Sequence, residues 1–258
     1  MDFALLQCRL DQTIDRADME DASTAAPQIG RADCARLQRQ LFGIVVRRLD
    51  ETNARAFQSA LRARGFDTDL VPESDLLALP PSRRVAGLRL APDALIRTDL
   101  YGRDEATPFS QVVFAAAGHI TLTDIRQKRE TVREVQHRGR FGTRIVERTV
   151  VKPLDVARVQ WRLEFFFAAD PLRIEWVLDP GRVSRLDGQA VRLADPAPVQ
   201  AFMDALRRRL PPSRMNRGLA RAGLPEAPAY PGPAAFDEEI VWHFHRLRAG
   251  GGGCPVLK

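Results

Sequence analysis

The sequence predicts an α+β protein of two domains. Three observations carry that reading. A strand–helix unit recurs within residues 1–72, short strands joined by tight turns begin at Val85, and an apolar hairpin followed by an amphipathic helix ends the second part. A chain of 258 residues has room for two cores. With 45% apolar residues, wholesale disorder is excluded.

The recurrence is a gapless match of Phe3–Ala17 on Phe42–Ala56 with seven identical positions. Among them are Asp11/Asp50 and Thr13/Thr52. The second copy is the clearer. Ile44-Val45-Val46 reads as a buried strand, Thr52 as the cap of a helix, and Ala56, Phe57, Ala60 and Leu61 as one helical face. Gly65 suits the residue after that helix, and 67–72 returns as a strand. In the first copy Pro27 and Gly30 break the helix, and a second runs from Arg31 to Gln40. Right-handed crossovers would make the strands near Phe3, Phe42 and Asp67 parallel if they are neighbours in one sheet. The β-α-β-α-β order of 1–72 resembles a ferredoxin-like α/β sandwich.

Residues 73–84 hold two adjacent prolines and read as a linker. Leu88 and Leu90 alternate with Arg89, and Leu95–Leu100, Thr107–Ala117 and His119–Thr123 continue an antiparallel meander punctuated by Gly118. Val159–Ala168 and Leu172–Leu178 alternate around Ala169-Asp170-Pro171 and form the best hairpin signal. Of its Phe165-Phe166-Phe167 run, Phe166 is the candidate for exposure. Asp195 reads as the cap and Pro196 as the first residue of a helix with Val199, Phe202, Met203, Leu206 and Leu210 inward. Pro211 and Pro212 stop it.

The strand pair followed by Pro108-Phe109-Ser110-Gln111-Val112 resembles the start of a bacterial PH-like (GRAM-like) domain. The resemblance implies an antiparallel barrel over 85–210, closed by the 196–210 helix and interrupted by a long basic insertion at 126–152. It implies a scaffold for peptide, protein or lipid-headgroup binding and identifies no site residue. Residues 211–258 read as an extended C-terminal arm, with a short helix over Phe236–Leu247 and a flexible Gly-rich tail.

Charge is concentrated in one segment. The whole chain carries +6, and so do residues 126–152 alone, with nine basic and three acidic residues. The basic ones are Arg126, Lys128, Arg129, Arg133, Arg138, Arg140, Arg144, Arg148 and Lys152. Arginine-rich segments bind phosphates and other anions. The simpler reading is a pair of polar strands or a solvated loop, because the segment holds one aromatic, Phe141, and three glutamates.

Other chemistry is sparse. Three scattered cysteines, Cys8, Cys34 and Cys254, suit a reducing compartment and form neither a disulfide framework nor a zinc motif. With no signal-like or membrane-spanning run, the expected location is cytoplasmic. His243 and His245 are two apart, but on a helix that spacing turns them away from each other. His119 and His137 are isolated. Asp11 and Asp50 form the one carboxylate pair that could serve acid–base chemistry, although an aspartate after a strand more often shapes the turn.

The expectation is therefore a non-catalytic binding or regulatory module without cofactor or metal, with a protein or other anionic partner. The alternative is nucleic-acid binding through 126–152, sensitive to salt and to reversing Arg138, Arg140 and Arg144. An enzyme using Asp11 and Asp50 comes third.

Overall fold

The computed structural model describes residues 1–137, 143–168, 173–225 and 227–249, with the backbone alone for 124–137, 143–148 and 151–155. The chain carries both helices and sheets, an α+β fold. No described helix is long and apolar enough to cross a membrane.

The N-terminal unit runs β1 (Phe3–Gln7), α1 (Arg16–Ser23), α2 (Arg31–Arg39), β2 (Ile44–Leu49), α3 (Glu51–Arg62) and β3 (Thr68–Pro72). The expected parallel sheet is corrected. The order is β2-β1-β3, and β1 is antiparallel to both neighbours. Two helices intervene between β1 and β2, so the chain comes back beside β1 in the opposite direction. The α3 crossover then skips over β1, leaving β2 and β3 parallel but not adjacent. The sequence repeat does not map onto equal structural units. Asp50 is the N-cap of α3 and accepts from Asn53 N at 2.9 Å, with Thr52 inside the first turn. α1 is capped by Asp15, which accepts from Asp18 N at 2.8 Å.

The rest forms two five-stranded sheets. One has the order β12-β11-β5-β6-β7, built from β5 (Gly87–Leu90), β6 (Ala94–Thr98), β7 (Asp104–Pro108), β11 (Ser184–Leu186) and β12 (Gln189–Val191). The other has the order β13-β8-β9-β10-β4, built from β4 (Ser82–Arg84), β8 (Val112–His137), β9 (Thr143–Phe167), β10 (Arg173–Leu178) and β13 (Ala229–Tyr230). Both sheets are open, and neither closes on itself into a barrel. The meander breaks at Pro108, which has no N–H to extend the ladder. A single 3₁₀ turn at 109–111 then carries the chain from one sheet to the other. Part of the expected linker is itself a strand, since β4 pairs with β10.

The main core lies between these sheets. Leu88, Leu95, Leu163, Phe165, Trp176 and Leu186 meet there, with α4 (Ala197–Arg207) laying Val199, Phe202, Met203 and Leu206 against them. The cap of α4 is Pro196, one residue later than expected, and it makes no side-chain cap bond.

The opposite face of the β8–β9 sheet is also covered. Phe114, Phe166, Tyr230, Phe236, Ile240 and Phe244 form a second core there. Phe166 is 3% exposed, which corrects its candidacy for the surface. A strand buried on both faces reads as a continuous apolar run, as Val-Val-Phe-Ala-Ala-Ala and Phe-Phe-Phe do here. Gly118 does not end β8. A Cβ at that position would strike the Tyr230 ring, so glycine is what admits the tyrosine.

That cover comes from α6 (Pro233–Ala249), which contains the short helix expected over Phe236–Leu247 but packs inward and is no part of an extended arm. The helix lies between two sheets. Phe236, Ile240 and Phe244 face β8–β9, while Val241 and Trp242 face the N-terminal sheet at Leu6, Ile44 and Val71. Trp242 Nε1 and Arg246 Nη2 both donate to the Gln7 carbonyl, at 2.7 and 2.6 Å. Burying a large apolar side chain contributes roughly 1.5–3 kcal/mol. The C-terminal segment is therefore what joins the two halves.

Candidate functional site

The strongest sequence signal, 126–152, continues the central strands. β8 and β9 form one antiparallel ladder from Val112↔Phe167 to His137↔Thr143. At ~3.3 Å per residue, 26 residues of β8 reach roughly 85 Å. A globule of this length is about 47 Å across. The segment is thus the distal half of a two-stranded ribbon whose base is anchored in both cores.

The register sorts its charges. Opposite residues of an antiparallel pair lie on the same face, and faces alternate along each strand. Arg126, Lys128, Arg144, Arg148 and Lys152 fall at positions of one face, with Glu130 and Glu134. Arg129 and Arg133 fall at positions of the other, where Arg133 pairs with Glu147. Lys128 stands directly opposite Lys152, one alternation from Arg126. Like charges opposite each other weaken a ladder, and a bound anion relieves that repulsion. Arg138 and Arg140 lie outside the described residues.

The expected carboxylate pair is not brought together as a site. Asp11 is exposed and held by Arg9 at 2.8 Å. Asp50 is spent on its cap. Hydrogen bonds hold both carboxyls below their usual range, Asp11 by Arg9 and Asp50 by Asn53. Neither aspartate lines the clefts at His119, at Pro180, at Val85 or along β2.

His243 and His245 lie on α6 and point apart. His243 is 3.7 Å from Glu239 Oε1. His119 packs on Trp161 with ring centroids 4.0 Å apart, in a cleft of about 460 Å³ beneath Gln200 and Leu224, and burial lowers its pKa. Among the described residues no three His, Cys, Asp or Glu side chains are placed to hold a metal. Cys8 and Cys34 are free thiols.

Two polar groupings were not visible in the sequence. The first is a buried network centred on Glu239. Arg217 donates to it from its backbone N, Nε and Nη2 at 2.8, 3.2 and 2.9 Å, and Tyr230 donates at 3.1 Å. Asn216 ties this network to β8. It accepts from Ala117 N at 2.9 Å and donates to Ala117 O at 3.0 Å. These residues are scattered along 216–239, and no periodicity marks them.

The second is a groove of about 310 Å³ along β2, with Arg36, Gln40, Arg47, Arg48 and Glu238 on its walls. Burial pushes the Glu238 carboxyl up to about 7, against the pull of Arg47 and Arg36. An unfolded glutamate titrates near ~4.3. Between those values the folded protein keeps a proton that the unfolded chain has released. Stability therefore falls as pH rises from about 4.5 to about 7, and stays lower above. Glu238→Gln is expected to raise stability by roughly 2 kcal/mol at pH 8 and to change it little at pH 4. Urea unfolding at the two pH values checks this, and equal effects at both would refute it.

Comparison with protein-family models, with curated proteins and with solved structures gives no match at the level of significance applied.

Proposed function

We propose that this protein is a non-catalytic binding module whose working element is the two-stranded ribbon and whose partner is an anionic protein surface. The observation that supports the reading is the β8–β9 register. It continues the ladder outward from the strands buried in both cores and gathers five basic positions on one face. Such an element supplies charge and reach, and long-range attraction speeds encounter with an anionic partner. The glutamates at positions 130, 134 and 147 fit a protein surface of mixed charge.

A second reading, nucleic acid, is favoured by shape. The major groove of B-DNA, about 12 Å wide, admits a two-stranded β-ribbon. The test is fluorescence anisotropy of the protein against random single- and double-stranded DNA and RNA at low and physiological salt. Pull-down of proteins by immobilised protein accompanies it. A variant with Arg126, Lys128, Arg144, Arg148 and Lys152 changed to glutamate is measured in parallel. Under the nucleic-acid reading, log K falls with log salt at a slope of about −4.5 for duplex DNA or about −3.5 for single strands with five phosphate contacts, and the variant does not bind. Under the protein reading, nucleic acid fails at low salt and a captured partner is lost from the variant. Binding that the variant keeps in both assays would remove the ribbon from function.

A further inference from the structure

β2 is an edge strand. The order β2-β1-β3 leaves one side of Ile44–Leu49 without a strand partner among the described residues. The groove described above runs along that side. α2 stands over one face of the sheet and contributes Arg36 and Gln40, while α6 stands over the other and contributes Glu238. An open backbone edge thus forms the floor between two helical walls. Four residues of edge, 44–47, span roughly 13 Å, enough for a short extended segment.

We infer that this groove binds an extended acidic peptide of a partner protein, added to β2 as a further strand. Strand addition draws affinity from main-chain hydrogen bonds and specificity from flanking pockets. Two observations point that way. The side-chain amide of Gln28 already docks on this strand's end as a peptide group would. It donates to Arg48 O at 3.3 Å and accepts from Asp50 N at 3.1 Å.

The cations select the sign of the ligand. Arg48 is exposed and pairs with no carboxylate among the described residues, and it sits at φ 60°, in the left-handed region, where the β1–β2 register shifts. A bulge of this kind re-aims a side chain. Arg36 is 56% exposed beside Asp33, and Arg47 reaches Glu73 at 2.8 Å. Charge and bulge discourage a neutral or basic strand at the same edge.

The charged groups around Glu238 are Arg47 of β2, Arg36 of α2, Glu73 of the turn after β3 and Asp237 of α6 itself. Below pH 7 Glu238 is neutral and the groove is at its most cationic. Affinity for an acidic ligand is therefore expected to fall as pH rises through 7, and Glu238→Gln to flatten that dependence.

The experiment is anisotropy of the full chain with a fluorescein-labelled nonapeptide of alternating glutamate and valine. Two controls accompany it, one with lysine for glutamate and one with proline for every valine. Saturable binding of the acidic peptide is expected. It should weaken at least tenfold for the proline form, which cannot pair as a strand, and for Arg36→Glu/Arg48→Glu. Reversal of the five ribbon positions should leave it unchanged. That arm separates this groove from the ribbon. Backbone amide shifts at 44–48 on titration provide a readout that needs no variant. Equal affinity for the proline form, loss through the ribbon variant instead, or a dimer that dissociates on Arg48→Glu would each overturn the proposal.

Discussion

Replacing Arg217 by methionine is expected to lower the unfolding free energy by about 3–5 kcal/mol, the range for breaking a buried ion pair from one side. Glu239 is fully buried, and three of its hydrogen bonds come from Arg217. One of these is from the backbone and survives, but the guanidinium charge does not. The same side chain bridges to the N-terminal unit, donating to Leu10 O at 2.7 Å. Burial pushes the Glu239 carboxyl up, and nearby His243 and the Arg217 charge pull it back below the usual carboxylate range. In the native protein this contribution is present above the unfolded pKa and lost as pH falls through the lowered folded value. Without the guanidinium, burial dominates and the folded pKa rises above the unfolded one. Stability of Arg217→Met should therefore increase as pH falls from 7 towards 5, a slope opposite to Glu239's native contribution. Adding Glu239→Gln should recover part of the loss at pH 7, as the cycle for a coupled pair requires. Urea unfolding of the four proteins at pH 5 and 7 tests it. A loss under 1 kcal/mol for Arg217→Met, or no recovery in the double variant, would show that the pair is not what holds this junction.

The parts of this fold that could be read from sequence are those set by local periodicity. The 159–178 hairpin shows the expected alternation, and Trp176 pairs with Leu163 as its pattern requires. Helix α3 buries Ala54, Phe57 and Leu61 on one stripe, close to the expected face. What failed was set by partners distant in sequence. Prolines between 211 and 228 argued for an extended arm, but Asn216 is fully buried and bonds the backbone of a strand ninety-nine residues away. Local sequence carries no trace of such a bond. The repeat misled because similar segments were folded into opposite strand directions. Of the candidate site, composition located the basic segment and left its form open between strands and loop. Only the register shows that five of its basic residues share a face. The β2 groove left one faint signal, two arginines following Ile-Val-Val at 44–48.

Gly218→Ala is the sharper test of how the C-terminal segment is seated. Gly218 lies in α5 (Arg217–Ala220), where intrinsic propensity favours alanine by about 1 kcal/mol. Packing dictates the reverse. A Cβ there would overlap the Ala117 carbonyl oxygen of β8 and lie 3.0 Å from its carbon. The obstacle is backbone in the middle of a sheet and cannot swing aside, so α5 must lift. Lifting stretches the Asn216 bonds to Ala117 and the Asn216 N bond to Ala115 O at 3.2 Å. Overpacking costs roughly 1–3 kcal/mol, and each buried polar group left unpaired adds about 1–3. A net loss of about 4 kcal/mol, or a fall in Tm of about 8–16 °C, is expected. Gly65→Ala is the control, because Gly65 has φ +85° and no atom within 4 Å of its would-be Cβ. It should lose only the backbone term, about 1–2 kcal/mol. If Gly218→Ala instead matches or exceeds the native Tm, helix propensity has won and α5 does not rest on β8 as described. A loss well beyond that of Gly65→Ala means that the backbone approach of α5 to β8 seats the C-terminal segment, and with it the base of the ribbon.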